Sequence, residues 1–461
     1  MMDVKGKHVH FMGIAGIGMS AIARIALERG AVVSGCDLKA NSSSHGLVEK
    51  GAHCYLGHSP QHLNGGGIDL IVYSSAIPQE NAELGLARER GIEVISRSNM
   101  LSRLMDDRTG IAVTGAHGKT TTTWLIANIL INAGLDPTVM VGGVVASLDG
   151  NFRQGSSEWF VTEVDESDGM LLEISPTVSV ITNIDREHLD HYSGIDEIVA
   201  TFEEYVSRTR PGGTLVGCVD DARVAALLEK SGVETVTYGL GDGAQYRAEM
   251  QELTNCHAIF DVQAPGGGIE GLTLAMPGEH NVKNSLAAIA VARHIGIEDE
   301  IIRMSLLTCA RVGRRFEIKS REGGVRIVDD YAHHPTEIAA TVRAARPSTE
   351  GRLVVVFQPH RYTRTRALAD EFGPAFVETD HVVVTSIYSA NEPPVAGLTG
   401  AVVAESARKA GCGSVEYIPN RESIVEHLVS YLEPGDTVLT MGAGDIGTIS
   451  GELSERLRSR G

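Results

Sequence analysis

The sequence lacks paired cysteines, long apolar segments and an abundance of positive charge. Its six cysteines are scattered, and none stands in a C-x-x-C pair, which argues against a disulfide framework and against a structural zinc site. No apolar run approaches the ~20 residues that span a bilayer. Residues 1–6 lead directly into a predicted strand and show no signal-peptide pattern. We therefore expect a cytoplasmic protein with no membrane insertion.

Basic residues are outnumbered by acidic ones. Lys and Arg together number 40 against 59 Asp and Glu, which gives a net charge of -19. A chain this acidic should repel nucleic acid and anionic membranes, so we expect no nucleic-acid partner. Phosphate ligands are not excluded, because backbone N–H groups, one or two basic side chains and Mg²⁺ can hold them locally.

Glycine, in contrast, is plentiful and often follows short apolar runs. The 461 residues include 52 glycines, and strand, glycine turn and amphipathic helix alternate along most of the chain, which is typical of parallel α/β sheets. This length exceeds what one core usually supports. Polarity rises at residues 106–109 and a third region begins near Arg314, so we predict domains at 1–107, 108–313 and 314–461. Short alternating stretches at 240–275 predict a small antiparallel appendage.

Residues 114–122, Thr-Gly-Ala-His-Gly-Lys-Thr-Thr-Thr, join a predicted strand to a predicted helix. Exposed N–H groups of such a loop can bind phosphates, Lys119 can bridge the β- and γ-phosphates, and Thr120 can hold Mg²⁺. The spacing is unusual, since Gly115 lies three residues before Gly118 where the common nucleotide loop has five. A fortuitous Gly-Lys-Thr at a helix start is the alternative interpretation.

Two acidic segments favour the nucleotide interpretation. One predicted strand, at 159–164, runs into Glu163-Val164-Asp165-Glu166-Ser167-Asp168, and another, at 178–182, is followed by Asp185 to Asp190 with His188 between them. Ligands of open parallel sheets bind at the carboxyl ends of the strands. Oxygen ligands beside a triphosphate indicate Mg²⁺, and we interpret His188 as a metal ligand. A solvated acidic face is the alternative for 163–168.

These segments together resemble the central ATPase domain of the Mur ligases. Residues 278–288 look like the adenine-side motif of that family, and residues 329–335 and 358–364 resemble its C-terminal domain. The resemblance implies an α/β fold of three domains: an N-terminal Rossmann-like parallel sheet, a central P-loop ATPase-like domain and a C-terminal Rossmann-like domain. It also implies an ATP- and Mg²⁺-dependent ligase that joins a carboxylate to an amine through an acyl phosphate.

The resemblance further implies roles for particular residues. Arg361 and Arg364, three residues apart at a predicted helix start, are placed to clamp a carboxylate, and Arg314 is placed to touch nucleotide phosphates, although a hinge charge is nearly as good a reading. The implied catalytic residues are Lys119, His188, His333, Arg361 and Arg364. The implied nucleotide-binding residues are Gly115, Ala116, His117, Gly118, Lys119, Thr120, Thr121, Asn284, Arg314 and Asp330, and the metal ligands are Thr120, Glu163 and His188.

The first glycine loop, residues 13–21, follows a strand and opens a helix, with glycines spaced G-x-x-G-x-G. A backbone nest of this kind can bind a diphosphate, and Asp37 at the next strand end is placed to meet a ribose hydroxyl. The loop is similar to the one that holds UDP in the L-alanine-adding members of the family. UDP-N-acetylmuramate and L-alanine are therefore the implied substrates of a monomer or homodimer. The implied substrate-binding residues are Gly13, Gly16, Gly18, Met19, Ser20, Asp37 and His334.

Three other functions stay open at this point. Residues 442–447 match the dinucleotide pattern G-x-G-x-x-G, but they lie too near the C-terminus for the acidic ribose partner to follow. We interpret them as a strand–helix turn rather than as part of a dehydrogenase. A non-catalytic nucleotide-binding regulator is a second alternative. Within the family, a ligase that attaches a recycled tripeptide to the same sugar nucleotide is the nearest competitor.

One absence bears on the second metal ion. Later-acting Mur ligases carry a carbamylated lysine a helix length beyond the metal-binding histidine, whereas no lysine occurs here between Lys119 and Lys230. Glu203 or Glu204 could supply similar charge through water. Solvated helix charges are an equally good interpretation of these two residues.

Overall fold

The computed structural model describes residues 4–148, 150–167, 170–189, 191–254 and 256–459. The chain forms two compact units, and each is discontinuous in sequence. Unit 1 comprises Met1–Ile184, Asp196–Tyr238 and Ala287–Ile302, and unit 2 comprises Asp185–Ile195, Gly239–Leu286 and Arg303–Gly461.

The first sheet of unit 1 has five parallel strands in the order β3-β2-β1-β4-β5. Three α-helices lie between these strands, and a fourth follows β5. The strands are β1 (His8–Met12), β2 (Val32–Asp37), β3 (His53–Leu56), β4 (Leu70–Tyr73) and β5 (Glu93–Ser96), and the helices are α1 (Ile17–Glu28), α2 (Ser42–Glu49), α3 (Ala82–Glu89) and α4 (Arg97–Met105).

The second sheet of unit 1 is larger and places three strand ends side by side. Its strands are β6 (Thr109–Thr114), β7 (Thr138–Val145), β8 (Gly150–Arg153), β9 (Trp159–Glu163), β10 (Val178–Ile181), β11 (Thr214–Cys218) and β12 (Glu234–Gly239), with helices α5 (Lys119–Asn132), α6 (Ile195–Ser207) and α7 (Ala222–Lys230). Their order is β12-β11-β10-β6-β9-β7-β8, and β6 is parallel to both of its neighbours, β10 and β9. The carboxyl ends of β10, β6 and β9 therefore lie next to one another, as the sequence predicts.

Unit 2 contains the predicted antiparallel appendage. It consists of β13 (Tyr246–Leu253), β14 (Ala258–Gln263) and β15 (Ile269–Leu274), which pair antiparallel in that order. Helices α8 (Glu279–His294) and α9 (Asp299–Leu307) follow and contribute residues to both units.

A six-stranded sheet forms the rest of unit 2, in the order β16-β17-β21-β18-β19-β20, with only β16 antiparallel. Its strands are β16 (Glu317–Glu322), β17 (Val325–Asp330), β18 (Leu353–Phe357), β19 (His381–Val384), β20 (Ser414–Tyr417) and β21 (Thr437–Met441). Its helices are α10 (Pro335–Ala345), α11 (Tyr362–Ala367), α12 (Ala369–Phe372), α13 (Ala401–Lys409), α14 (Arg421–Tyr431) and α15 (Gly447–Arg458). Short 3-10 helices occur at Pro60–Gly65, Ala146–Leu148, Met170–Glu173, Arg346–Ser348 and Gly373–Phe376.

Strand β18 shows why this sheet is covered on both faces. All five residues of the strand are fully buried. Leu353, Val355 and Phe357 belong to the core beneath α10 and α13, whereas Val354 and Val356 belong to the core beneath α14 and α15. Side chains alternate between the two faces of a strand, so a continuous apolar run fills both cores.

The α/β fold class predicted from the sequence is confirmed, whereas the domain boundaries remain a prediction. Helix starts are the main local difference. Hydrophobic periodicity predicts helices from Met19, Thr120 and Asn281, whereas α1, α5 and α8 begin one or two residues earlier, at Ile17, Lys119 and Glu279. In α1 and α5 a glycine, Gly16 or Gly118, occupies the N-cap position, and hydrophobic periodicity does not register such a residue. None of the helices in the described residues is long and apolar enough to cross a membrane.

Candidate active site

The loop between β6 and α5 has a backbone that only glycine fits. Gly115 has φ +128° and Gly118 has φ +82°, conformations that other residues rarely adopt. A Cβ atom on Gly115 would overlap Thr182 Oγ1 and lie 2.8 Å from the carbonyl oxygen of Asn183. Because α5 starts immediately after Gly118, its first N–H groups and the positive end of its dipole are available to an anion.

Residues that follow β10 hold this loop in place. Asn183 Oδ1 accepts a hydrogen bond from the N–H of His117 (2.9 Å), and Asn183 Nδ2 donates to the carbonyl oxygen of His117 (2.9 Å). Thr182 Oγ1 donates to the same carbonyl oxygen at 2.7 Å. The sequence analysis did not assign Thr182 and Asn183 to the site, although their position directly after a strand on this rim was a usable signal.

Lys119 is held inside the loop by carboxylates of the next strand end. Its Nζ donates to Glu166 Oε2 (2.9 Å) and to the carbonyl oxygen of Gly115 (2.6 Å), and Asp165 Oδ1 lies 3.7 Å away. Burial alone would lower the pKa of Lys119, but the charges of Glu166 and Asp165 outweigh it and raise the pKa above its ordinary value. Lys119 is therefore charged at any physiological pH, and an arriving phosphate can replace these contacts.

Glu163, a predicted metal ligand, lies at the end of β9 against a glycine of the neighbouring strand. A Cβ atom on Gly142 would overlap Glu163 Oε1 and lie 2.8 Å from Oε2. Gly142 therefore provides the space for this carboxylate, a role that the sequence analysis missed. Thr120, the other ligand predicted in unit 1, is nearly buried at the start of α5, as is Thr121. Asp168 and Asp190, noted in the sequence, lie outside the described residues.

The first glycine loop also runs from a strand into a helix start. Gly13 has φ +86°, and Gly16 is the N-cap of α1. Asp37, predicted to meet a ribose, accepts hydrogen bonds from the N–H groups of Ala15 (2.9 Å) and Lys39 (3.3 Å). Asp37 thus braces the loop, and its contact with a ribose remains a prediction.

An arginine outside the loop lies against it. A Cβ atom on Gly18 would overlap the Nη1 atom of Arg97, the first residue of α4. The predicted residues Met19 and Ser20 are buried in α1, where Ser20 Oγ donates to the carbonyl oxygen of Ile17 (3.0 Å). Met19 and Ser20 therefore support the loop through packing at the start of α1. Arg97, which the sequence analysis missed, places a guanidinium group beside a loop of backbone N–H groups, where a diphosphate would benefit from it.

In unit 2, a buried ion pair joins two of the predicted motifs. Arg364 donates to Glu187 Oε2 through Nη2 (2.8 Å) and Nε (3.3 Å), and both side chains are nearly inaccessible to solvent. Burial raises the pKa of Glu187, but the guanidinium charge of Arg364 outweighs it and holds the pKa well below its usual range. The sequence analysis did not assign Glu187 to the site.

Two histidines beside this pair are neutral at pH 7. Burial lowers the pKa of His333 to about 4 and that of His360 to about 3. Arg364 Nη1 donates to His360 Nδ1 (3.1 Å), and the Nδ1 of His333 donates to the carbonyl oxygen of Tyr331 (3.0 Å). His360 was not among the predicted site residues. We name Glu187, His333, His360 and Arg364 the ionisable cluster.

Two predicted site residues near the cluster have an unusual backbone. His188 has φ +52°, and Arg361, the N-cap of α11, has φ +66°. Such values are uncommon outside glycine and tend to be kept at functional sites. The N–H of Arg361 donates to the carbonyl oxygen of Tyr388 (2.8 Å), which fixes the entry into α11. Their roles as metal ligand and carboxylate clamp remain predictions.

His334 has a structural position. It is the N-cap of α10, where its Nδ1 accepts from the N–H of Thr336 (3.3 Å) while Glu337 completes a capping box. Only 1% of the side chain is exposed. The predicted contact of His334 with substrate is therefore an additional role that has not been tested.

The predicted nucleotide-binding residues of the C-terminal region anchor β17. Arg314 donates to Asp329 Oδ2 (2.9 Å) and to the carbonyl oxygens of Gly442 (2.7 Å) and Gly444 (3.0 Å). Asp330 accepts from the N–H groups of Phe316 (2.6 Å) and Ala332 (2.8 Å), and burial raises its pKa to about 6. Both side chains are engaged within unit 2, and their contact with nucleotide remains a prediction.

The segment that resembles the adenine-side motif lines a cavity of about 140 Å³ in unit 2. Gly278, His280 and Lys283 form one wall, and Arg343 on α10 forms another. Burial lowers the pKa of His280 to about 4. Asn284, in the same segment, is buried, and its Nδ2 donates to Asn281 Oδ1 (3.3 Å).

The glycines at 442–447 are required by packing, as the strand–helix turn interpretation predicts. The segment joins β21 to α15. A Cβ atom on Gly444 would lie 2.6 Å from the ring of Tyr388 and overlap Gln358 Oε1. Gln358 fills the turn, since it donates to Asp445 Oδ1 (2.8 Å) and accepts from the N–H of Ile446 (3.2 Å). Protein side chains thus occupy the space that a dinucleotide would need.

Glu203 and Glu204 lie on the exposed side of α6. Glu204 pairs with Arg208 at 2.9 Å, and Glu203 lies 3.8 Å from Lys230. About half of each glutamate side chain is exposed. These contacts favour the interpretation of both residues as solvated helix charges.

Family models match the chain in three consecutive segments. The model described as Mur ligase family, catalytic domain, matches residues 8–109, the Mur ligase middle domain matches 113–292, and the Mur ligase glutamate ligase domain matches 314–444. A protein of Syntrophus aciditrophicus named UDP-N-acetylmuramate–L-alanine ligase is 42% identical over 458 residues, covering 99% of this chain and 95% of the relative. The chain belongs to the Mur ligase family.

Solved structures of two Mur ligases resemble this one along almost the whole chain. The UDP-N-acetylmuramate-alanine ligase of Thermotoga maritima has a TM-score of 0.82 at 29% identity and covers 98% of this chain and 100% of its own. The murein peptide ligase of Psychrobacter arcticus has a TM-score of 0.73 at 24% identity and covers 98% and 99%. The latter likeness concerns the fold alone. Membership of the family makes the chain an ATP-dependent ligase of peptidoglycan precursor synthesis.

Proposed function

We propose that this Mur ligase joins the amine of L-alanine to the carboxylate of UDP-N-acetylmuramate, with ATP converted to ADP and phosphate. The observation that carries this proposal is full-length identity of 42% to a relative of that name, across 99% of the chain. The reduced state of all six cysteines supports the cytoplasm as its location.

The proposed reaction has two steps. The muramate carboxylate attacks the γ-phosphorus of ATP, ADP leaves, and an acyl phosphate forms. The amine of L-alanine then attacks the carbonyl carbon, phosphate leaves, and the nitrogen gives up a proton. Lys119, His188, His333, Arg361 and Arg364 are the proposed catalytic residues.

Lys119 and the loop before it would do most to promote the first step. Two anions must approach each other, and the charge on the transferring group must be neutralised without reorganisation. Lys119 is already charged and held by Glu166, so a phosphate oxygen replaces one anionic partner with another. Helix α5 begins directly after Gly118, and the first N–H groups of a helix have no acceptor within it. Gly115, Ala116, His117, Gly118, Thr120 and Thr121 are the proposed phosphate contacts.

Mg²⁺ is the proposed metal cofactor. The residues present fit it, since Thr120 and Glu163 offer hard oxygen ligands beside the phosphate loop. Gly142 has no Cβ atom and so leaves room for the Glu163 carboxylate. His188 remains a further proposed ligand from the sequence. When bound, the ion would neutralise charge on the phosphates.

The first glycine loop is the proposed site of the sugar nucleotide. Gly13, Gly16, Gly18, Met19 and Ser20 form the loop and the start of α1, and Asp37 supports it. Arg97 adds positive charge where the loop alone offers only N–H groups. His334 is a proposed substrate contact in unit 2, and Asn284, Arg314 and Asp330 are proposed nucleotide contacts.

A coupled phosphate-release assay tests the function. Purified enzyme receives ATP, Mg²⁺ and UDP-N-acetylmuramate, with L-alanine, L-serine, glycine or the recycled tripeptide as acceptor. We expect the highest kcat/KM with L-alanine, and release only when both co-substrates are present. Preference for the tripeptide would assign the chain to the competing ligase. ATP binding without turnover would favour the non-catalytic nucleotide-binding regulator. Tight NADH binding would favour the dehydrogenase.

A further inference from the structure

Three metal-ligating side chains meet at the edge of the C-terminal sheet, outside the proposed active site. His381 is the first residue of β19, Glu416 lies on β20, and His427 lies on α14. In the register of β19 and β20, His381 is opposite Ser414, so Glu416, two residues further on, points to the same face. Helix α14 covers that face through its buried residues Ile424 and Leu428.

The three ligand atoms surround a point at metal-binding distance. The Nε2 atoms of His381 and His427 are 3.3 Å apart, and Glu416 Oε1 lies 3.9 Å from the first and 3.7 Å from the second. The circle through these three atoms has a radius of about 2.1 Å, close to the zinc–nitrogen and zinc–oxygen distances in proteins. A hydrogen bond between the two histidines explains only the 3.3 Å distance between their Nε2 atoms. It does not explain why Glu416 faces the same point from beyond hydrogen-bond distance.

Neighbouring side chains fix the two imidazole rings. Tyr431 stacks on His381, with ring centroids 4.4 Å apart, and on His427 at 5.6 Å. The guanidinium of Arg352 lies 4.3 Å from the centre of the Tyr431 ring and so holds that ring in place. Such support holds ligands in the geometry that binding needs.

We propose that His381, Glu416 and His427 bind a zinc ion, with water in the fourth position. Two imidazole nitrogens, one carboxylate oxygen and an open position make a set that zinc accepts in tetrahedral geometry. The ion would fasten α14 to the edge strand β20, where the sheet otherwise depends on half-buried side chains. This proposal does not depend on the proposed ligase reaction.

A second cluster, in unit 1, does not support the same inference. His10, Cys36, His62 and Glu83 also lie within reach of one another. There the Glu83 carboxylate fills the centre, at 3.1 Å from His10 Nε2 and 3.0 Å from His62 Nδ1, and it also accepts from the N–H of Ser59 (2.9 Å). A metal ion would have to displace these contacts.

Zinc titration of the full chain tests the proposal. The protein is stripped with a chelator and titrated calorimetrically with Zn²⁺ in excess Mg²⁺, which occupies oxygen-rich sites. Even outer-shell changes weaken metal sites by 10–100-fold, so loss of a ligand in His427→Gln should weaken one zinc site by more than ~100-fold. His257→Gln is the matched control, because that histidine lies 3.8 Å from Glu252 but belongs to no such group in the described residues. The His257→Gln variant should bind zinc with the same affinity as the wild type.

A second variant separates metal loss from misfolding. Glu416 is 45% exposed, so Glu416→Gln should fold normally and still lose the site. Zinc should raise the unfolding midpoint of the wild type and of His257→Gln. It should not raise the midpoint of Glu416→Gln or of His427→Gln. Ligase turnover without zinc should be the same in all four proteins. Equal zinc stoichiometry and affinity in the wild type, Glu416→Gln and His427→Gln would overturn the proposal.

Discussion

The glycine loops of unit 1 and the ionisable cluster of unit 2 are built on different principles. The loops at 13–18 and 115–118 each lead into the start of a helix, and their shape depends on glycines with positive φ such as Gly13, Gly115 and Gly118. The cluster consists of side chains whose charges depend on one another, above all Glu187 and Arg364. Backbone donors do not titrate, whereas the side chains of the cluster do.

This difference teaches where mutations and pH should act. A change within a loop should alter how phosphate is bound, with little effect on folding, because the loop buries little apolar area. A change within the cluster should also alter stability, since it leaves a buried charge without its partner. The five predictions below test that contrast, starting with the largest expected effect.

Replacement of Lys119 by alanine should give the largest effect on catalysis. Its ammonium group is the only positive side chain that the loop from Gly115 to Thr121 supplies, and loss of one such stabilising donor costs ~3–4 kcal/mol, or about 10²–10³ in kcat. Binding of UDP-N-acetylmuramate, measured by calorimetry, should be unchanged if the first loop holds it. Lys230→Ala, at a lysine that is 72% exposed, serves as the control, and near-normal kcat in Lys119→Ala would remove the phosphate-loop assignment.

Replacement of Arg364 by alanine should give the largest effect on stability. It leaves Glu187 buried without its guanidinium partner, which costs ~3–5 kcal/mol for buried pairs. Arg186→Ala is a matched control, since Arg186 makes an ion pair of the same 2.8 Å length with Glu371 but both side chains are nearly half exposed. We expect a loss below ~1 kcal/mol there. Urea unfolding of both variants at pH 7 gives the comparison.

The sign of the pH effect follows from the depressed pKa of Glu187. Its folded pKa lies below the unfolded value, so the stabilisation is fully present above about pH 4.3 and is lost as pH falls through the folded value. The difference between wild type and Arg364→Ala should therefore narrow below about pH 4. A difference that stays constant down to pH 3 would contradict the ion-pair explanation.

A methyl group on Gly142 should disturb the proposed metal site without unfolding the chain. In Gly142→Ala the new Cβ displaces the Glu163 carboxylate, which can move because it ends a flexible side chain. The Mg²⁺ concentration for half-maximal activity should rise about 10-fold, in the range seen for altered metal ligation. Val144→Ala, at an exposed position on the same strand, should leave the Mg²⁺ dependence as in the wild type, and an unchanged requirement in Gly142→Ala would separate Glu163 from the metal.

Among the effects on stability, replacement of His333 should give the smallest one, and that effect should appear only in acid. Its pKa falls from 6.5 to about 4 on folding, so the folded state binds fewer protons and stability is lost as pH falls from about 6.5 towards 4. Between pH 7.5 and pH 5 the free energy of unfolding of His333→Gln should therefore fall by about 1–2 kcal/mol less than that of the wild type. Unfolding midpoints at pH 7.5 and pH 5 give the measurement, with His257→Gln, at a histidine whose side chain is 35% exposed, as the control. Equal acid sensitivity in the wild type and His333→Gln would count against a buried, neutral imidazole.

The sequence by itself determined the α/β class and the two glycine loops. The apolar runs predict strands at His8–Met12, Leu70–Tyr73 and Leu353–Phe357, which are the bounds of β1, β4 and β18. The helices after both loops begin within two residues of the predicted starts. These features are local, because a strand, a glycine turn and an amphipathic helix are each set by neighbouring residues. Lys119 and Thr120 follow from the same local pattern.

Only the tertiary structure decided which distant side chains meet. Arg364 pairs with a carboxylate 177 residues earlier in the chain, and Gly142 makes room for Glu163 from a neighbouring strand. Cysteine spacing argued against a structural zinc site, yet the proposed zinc ligands His381, Glu416 and His427 include no cysteine at all. Contacts of this kind depend on strand order and on the helix that covers each face, and hydrophobic periodicity specifies neither of them.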